Sequence, residues 1–124
     1  LKQKVLRELG TETPFEARRI RHDRSIFENW APLGFLVHIA PGNVFTVAAL
    51  STIEGLLTGN MNFVKTAGQA SLFTHIFFEE LFRGDSSGEL KRFVIISRFS
   101  SSRKELIASV LKQADGLAAW GGEE

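Results

Sequence analysis

Two apolar runs, one helix length apart, constrain this chain more than any other feature. Phe35 to Ala40 is almost continuously apolar, which suits a strand buried on both faces of a parallel sheet. Pro41 and Gly42 must break that strand, because proline cannot donate to the ladder and glycine permits a sharp turn. Val44 to Leu57 has the length of a helix, with apolar residues at Val47, Leu50, Ile53 and Leu57 and, beside them, Ala48, Ala49 and Leu56. Gly59 and Asn60 form a helix stop. Phe63 and Val64 restart an extended run that ends in Lys65. The whole reads as one βαβ unit. Ligands of open α/β sheets bind beyond the carboxyl ends of the strands, where Asn43 and Lys65 both fall.

The flanking chain extends the pattern. Val5, Leu6 and Leu9 share one helical face, closed by Gly10, and read as the end of a helix that began earlier. Residues 11–31 are mixed, with Pro14, Phe15, Ile20, Ile26, Phe27 and Trp30 interrupting polar positions. The basic cluster from Ala17 to Arg24 reads as a solvated face, because Glu12, Glu16, Asp23 and Glu28 dilute it and no aromatic residues interleave it for base stacking. After Lys65, Thr66 to Ala70 is a small-residue loop and Ser71 is a candidate helix cap. Leu72, Phe73, Ile76, Phe77 and Leu81 give an apolar stripe, widened by Phe78 and Phe82, which predicts a heavily covered helix. Phe93 to Ile96 is a third buried strand. Ser102 with Glu105 has the spacing of a capping box before Leu106, Ile107, Val110 and Leu111, and Leu117 to Trp120 is a fourth strand. The order predicts a three-layer, Rossmann-like α/β unit with right-handed crossovers.

With 124 residues, 44% hydrophobic content and a net charge of +1, the chain has the makeup of an ordinary soluble domain, with no bias toward nucleic acid or membrane. It holds no apolar run of membrane-spanning length and no signal peptide, so a cytoplasmic protein without membrane insertion is expected. Zero cysteines exclude a disulfide, a thiolate metal site or a cysteine nucleophile within these residues. The opening at Leu1 and the stop just after Gly121 and Gly122 read as a fragment of a longer enzyme.

Pro41-Gly42-Asn43, a helix, Gly59-Asn60 and a strand ending in Lys65 together resemble the cofactor-domain core of the aldehyde dehydrogenase superfamily. His38 to Asn43, with Trp120 to Glu124 late in the chain, most resembles the lux-type fatty acyl-CoA reductases, and the similarity runs over residues 14–124. The resemblance implies a lead-in segment at residues 1–31 and a partial NAD(P)-binding domain at residues 32–124, in a homo-oligomer or a complex with an acyl-activating partner. It implies NADPH-dependent reduction of a fatty acyl-CoA or acyl-thioester to an aldehyde through a cysteine acyl-enzyme, the cysteine lying outside this segment. On its own the segment would then be inactive. Two other readings stay open. One is an aldehyde or semialdehyde dehydrogenase; the other is a non-catalytic α/β binding module, should the chain be complete.

By the same resemblance Asn43 supports the oxyanion of the reaction, where an isolated sequence would read it as a turn asparagine satisfying its own loop. Lys65 reaches the adenosine ribose of the cofactor, in place of an ordinary strand-end lysine that snorkels to solvent. Many NAD-preferring relatives carry a glutamate three residues after this lysine. Here Gly68 stands there, which removes a charge that would repel a 2′-phosphate and leaves Lys65 and Thr66 to meet it. NADPH is therefore the expected cofactor, with NAD(H) as the alternative. Pro41 and Gly42 shape the same loop, and Gly121 and Gly122 form a turn where backbone amides approach a pyrophosphate. The approach to Lys65 from Gly59 fails the P-loop spacing, and no GxGxxG occurs. His38 and His75 read as packed, hydrogen-bonded residues, since no HxxxH or HExxH spacing marks a metal site.

Overall fold

Parallel strands cannot be joined by a tight turn, so each of the four predicted apolar runs must be reached by a crossover. The computed structural model, which describes residues 2–68 and 70–121, shows them. Its elements are α1 (Lys2–Leu9), β1 (Arg18–Arg19), β2 (Phe27–Glu28), β3 (Phe35–Ile39), α2 (Phe45–Leu57), β4 (Met61–Thr66), α3 (Ala70–Gly84), a 3₁₀ turn (Leu90–Arg92), β5 (Val94–Arg98), α4 (Lys104–Leu111) and β6 (Gly116–Ala119). The chain divides into two compact units, residues 1–32 and 33–124.

In the first unit α1 ends at Gly10, whose N–H bonds Leu6 O at 2.9 Å and whose φ of 70° needs a glycine. Strands β1 and β2 pair antiparallel. The Trp30 indole donates to Leu9 O, Arg18 pairs with Glu28, and Arg21 pairs with Asp23.

The second unit is an α/β sheet of four parallel strands in the order β5-β4-β3-β6. Chain order therefore reverses between β3 and β6, which makes their carboxyl ends the topological switch point. Alternation along each strand sorts side chains by face. On one face Ala40, Val64 and Val94 pack with Ala48 of α2 and the fully buried Phe78 of α3. On the other, Val37, Ile39 and Phe63 meet Ile107, Val110 and Leu111 of α4. Three layers result, as expected.

The registers are tied at the amino edge by polar clamps. Asn60 Oδ1 accepts from Gly34 N at 2.9 Å, while its Nδ2 bonds the end of α2 at Gly55 O and Thr58 Oγ1. Asp115 Oδ2 accepts from Phe35 N at 2.8 Å, and Gly34, at φ 123°, leaves no room for a Cβ beside that carboxylate.

Four local expectations are corrected. Ser71 lies inside α3 and donates back to Gly68 O. No capping box forms, because Ser102 bonds the Ser100 hydroxyl within a turn and α4 starts at Lys104 with no side-chain cap. The predicted stripe on α3 is split: Leu72, Phe73 and Ile76 point outward, with Leu72 63% and Ile76 52% exposed, whereas Phe78 is buried beside Ser71 and Thr74 and Phe77, Leu81 and Phe82 pack against the core. Small residues win there, and on α2 at Ala48, Ser51, Thr52 and Gly55, because the two helices lie side by side close against the sheet. His75 is exposed, 3.7 Å from Glu79.

His38 is packed and hydrogen-bonded as expected, 2% exposed, with ring nitrogens 2.7 Å from Ser51 Oγ and 2.9 Å from Asn62 Oδ1. The partners assign its tautomer. Asn62 Nδ2 donates to Asn60 O, so Oδ1 is an acceptor and His38 Nε2 carries the proton. Ser51 then donates to Nδ1 while accepting the Trp120 indole N–H at 3.2 Å. Burial lowers the His38 pKa below 6.5, and the folded state holds the ring neutral. Since the unfolded chain then binds more protons, stability is expected to fall as pH drops through about 6.5, read from urea midpoints. That slope should be lost in His38→Gln.

Candidate functional site

Four loops meet the carboxyl edge of the sheet. Pro41 to Asn43 leave β3, Ala67 and Gly68 leave β4, Phe99 to Ser102 leave β5, and Trp120 and Gly121 leave β6. Two of these loops touch through their backbones. A Cβ on Gly42 would lie 3.2 Å from Ala67 O, and one on Gly68, at φ 62°, would lie 3.3 Å from Gly42 O. Only glycine meets both demands at position 68.

Asn43 is exposed, and among the described residues its carboxamide has no hydrogen-bond partner. It does not satisfy its own turn. It stands two residues before α2, whose N-cap residue Val44 provides no side-chain acceptor for the first N–H groups. Free donors and the positive end of the helix dipole both favour negative charge here.

Lys65 does not snorkel. It is 3% exposed, and its Nζ donates to Ser101 Oγ at 2.7 Å, 5.8 Å from the centre of the Phe99 ring. Desolvation holds its pKa below the ordinary lysine value. Among the described residues no carboxylate pairs with it. A buried ammonium with only a hydroxyl and a ring for company is poorly compensated. Thr66 is buried, and its hydroxyl donates to Ser97 O at 3.3 Å, so its side chain braces β4 against β5 and does not reach outward with Lys65. Gly121 is exposed, with open space on its Cβ side, and Gly122 lies outside the described residues.

Sequence reasoning passed over Arg98, Phe99, Ser100 and Ser101. With Ala67 and Gly68 they line an open groove of about 510 Å³ beside Lys65. Their position just past a predicted strand was the available signal. The groove, the close glycine loops and the uncompensated lysine fit the anionic adenosine half of a nicotinamide cofactor. Among the described residues, no three His, Asp or Glu side chains gather as a metal site, and no helix is long and apolar enough to cross a membrane.

The family model described as acyl-CoA reductase (LuxC) matches residues 1–124, and so takes in the first unit as well as the sheet. The chain belongs to this acyl-CoA reductase (LuxC) family. No curated protein matches the chain, and no solved structure does.

Lys65 offers a direct check of the charge argument. Lys65→Met removes the buried cation but keeps an unbranched stem, so it is expected to be at least as stable as the parent protein in urea unfolding. A loss above about 1 kcal/mol would instead make the Ser101 bond a structural one.

Proposed function

We propose that the chain is the cofactor-domain part of an NADPH-dependent reductase that converts a fatty acyl-CoA or acyl-thioester to a fatty aldehyde. The buried, uncompensated Lys65 at the sheet's carboxyl edge carries this reading. NADPH, when bound, supplies the hydride. The acyl group is held as a thioester on a cysteine outside these residues, which contain none. As the thioester carbonyl is reduced, charge builds on its oxygen. Asn43, whose carboxamide has no other partner among the described residues, donates to that oxygen, and the uncapped start of α2 adds favourable potential. Gly42 and Gly68 keep two loops low enough for a ligand to approach the backbone. Pro41 ends β3 so that the loop turns there, and Gly121 leaves β6 on the other side of the switch point. The superfamily placement rests on the same residues: Asn43, Gly59-Asn60 and Lys65 stand in a βαβ unit of the kind the resemblance implies.

The test is a thermal-shift titration of the intact protein with NADPH and NADH, followed by assay of long-chain acyl-CoA reduction. Stabilisation is expected to be larger with NADPH and to be lost in Lys65→Ala. No shift with either nucleotide would move the reading to a non-catalytic α/β module. Asn43→Ala is expected to lower kcat by about 10²–10³-fold with little change in thermal stability, the scale seen when one oxyanion donor is removed. An unchanged kcat would remove Asn43 from the chemistry.

A further inference from the structure

Trp120 stands half-exposed at the carboxyl end of β6, held by two hydrogen bonds. Its backbone N–H donates to Ile39 O at 2.9 Å, which seats it at the switch point between β3 and β6. Its indole N–H donates to Ser51 Oγ at 3.2 Å, so the ring lies on the α2 face of the sheet, at the edge from which Asn43 also leaves. The direction of this chain of bonds is fixed at both ends. An indole can only donate, and Asn62 Oδ1 accepts from His38 because Asn62 Nδ2 is committed to Asn60 O. Ser51 Oγ is free to receive the indole proton because its own proton lies on His38 Nδ1, 2.7 Å away.

A second proton on the His38 ring turns Nδ1 into a donor. Two donors then converge on Ser51 Oγ, and the Ser51 proton loses its acceptor. His38 is 2% exposed and has no water to turn to, whereas the half-exposed indole, on the longer bond, has. The indole link is therefore the one that opens. We propose that Ser51 is a positioning residue that aims the Trp120 indole along the switch-point crevice for acyl-CoA reduction, and that protonation of His38 releases it. The role in turnover rests on the reductase reading; the link itself does not.

Burial, which keeps the ring neutral, outweighs Glu54 of α2, whose charge favours protonation. Lys65 of β4 lies on the opposite face of the sheet with Val37 and Ile39. Strand β6 carries no ionisable side chain, and His75, Glu79, Glu80 and Arg83 of α3 are exposed. Since the folded-state pKa of His38 lies below 6.5, the link is closed at neutral pH and opens as pH falls through that lowered value.

The test follows the Trp120 indole N–H by NMR in the intact protein, its resonance assigned by its loss in Trp120→Phe. At neutral pH its solvent exchange is expected to be about tenfold slower than that of free tryptophan at the same pH, the scale of one hydrogen bond. That protection should disappear with a midpoint below 6.5. Ser51→Ala should lack it at every pH, and His38→Gln, which cannot ionise, should hold one value throughout. In long-chain acyl-CoA reduction, Ser51→Ala and Trp120→Phe should each lower kcat about three- to tenfold, and the double variant should be no worse than either, because both remove one link. Protection that persists in Ser51→Ala, or that ignores pH in the parent protein, overturns the proposal. Additive losses of kcat also overturn it, since the two residues then act separately. So does an unchanged kcat in both variants, which leaves the link without a part in turnover. If the parent protein reduces no acyl-CoA while the indole still titrates, the reductase reading fails and takes the positioning role with it, and His38 control of the link stands.

Discussion

Everything that positions the candidate site depends on the parallel pairing of β3 with β4. Five register pairs, from Phe35 with Met61 to Ile39 with Lys65, bring the ends of the two strands level. Because parallel strands run in one direction, Asn43 and Lys65 leave the sheet at the same edge although a helix separates them in sequence. The pairing also buries His38 between α2 and β4. There a set of oriented hydrogen bonds runs from Trp120 through Ser51 and His38 to Asn62, linking the outer strand β6 to the centre of the sheet. Gly55 is part of that constraint, since a Cβ there would overlap Asn62 Oδ1.

Polar burial divides into two kinds. The His38 set is closed: each group in it has a partner of the right polarity, and the ring is held neutral. Such networks specify one packing and tolerate little change. The Lys65 site is open by contrast. Among the described residues its ammonium has one neutral oxygen and no counter-charge, and it stands beside a groove. A stable fold can accommodate a closed network anywhere, but an open one is costly unless a ligand completes it. That contrast is the reason Lys65, and not His38, is the residue proposed for a ligand.

Much of the fold was legible beforehand. Continuous apolar runs marked the four strands, but burial on both faces was expected too widely: on the edge strands β5 and β6 Ile95 and Leu117 are 49% and 55% exposed. Gly10 and Gly59 marked helix ends through their positive φ. The site was legible only where a loop motif preceded or followed such a run, as at Pro41 to Asn43 and at Lys65. Arg98, Ser100 and Ser101 escaped because nothing in their own spacing marks a site beyond their place past a strand; strand order sets that place beside Lys65. Part of the stripe on α3, at Leu72, Phe73 and Ile76, misled for a related reason. Periodicity identifies an amphipathic helix, but which face is buried depends on how closely a neighbouring helix must approach.

The sequence by itself determined the α/β alternation, the breaks that end each strand and the residue types at the turns, because these follow from local sterics and the apolar period. It also carried the motifs that place the chain in the acyl-CoA reductase (LuxC) family. Tertiary structure alone decided the strand order, and with it the switch point. It also decided that Thr66 faces inward, that Lys65 is buried against Ser101, and that Arg98 shares a groove with Gly68. These are relations between residues about thirty positions apart, and no local energy term distinguishes their alternatives until the sheet has formed.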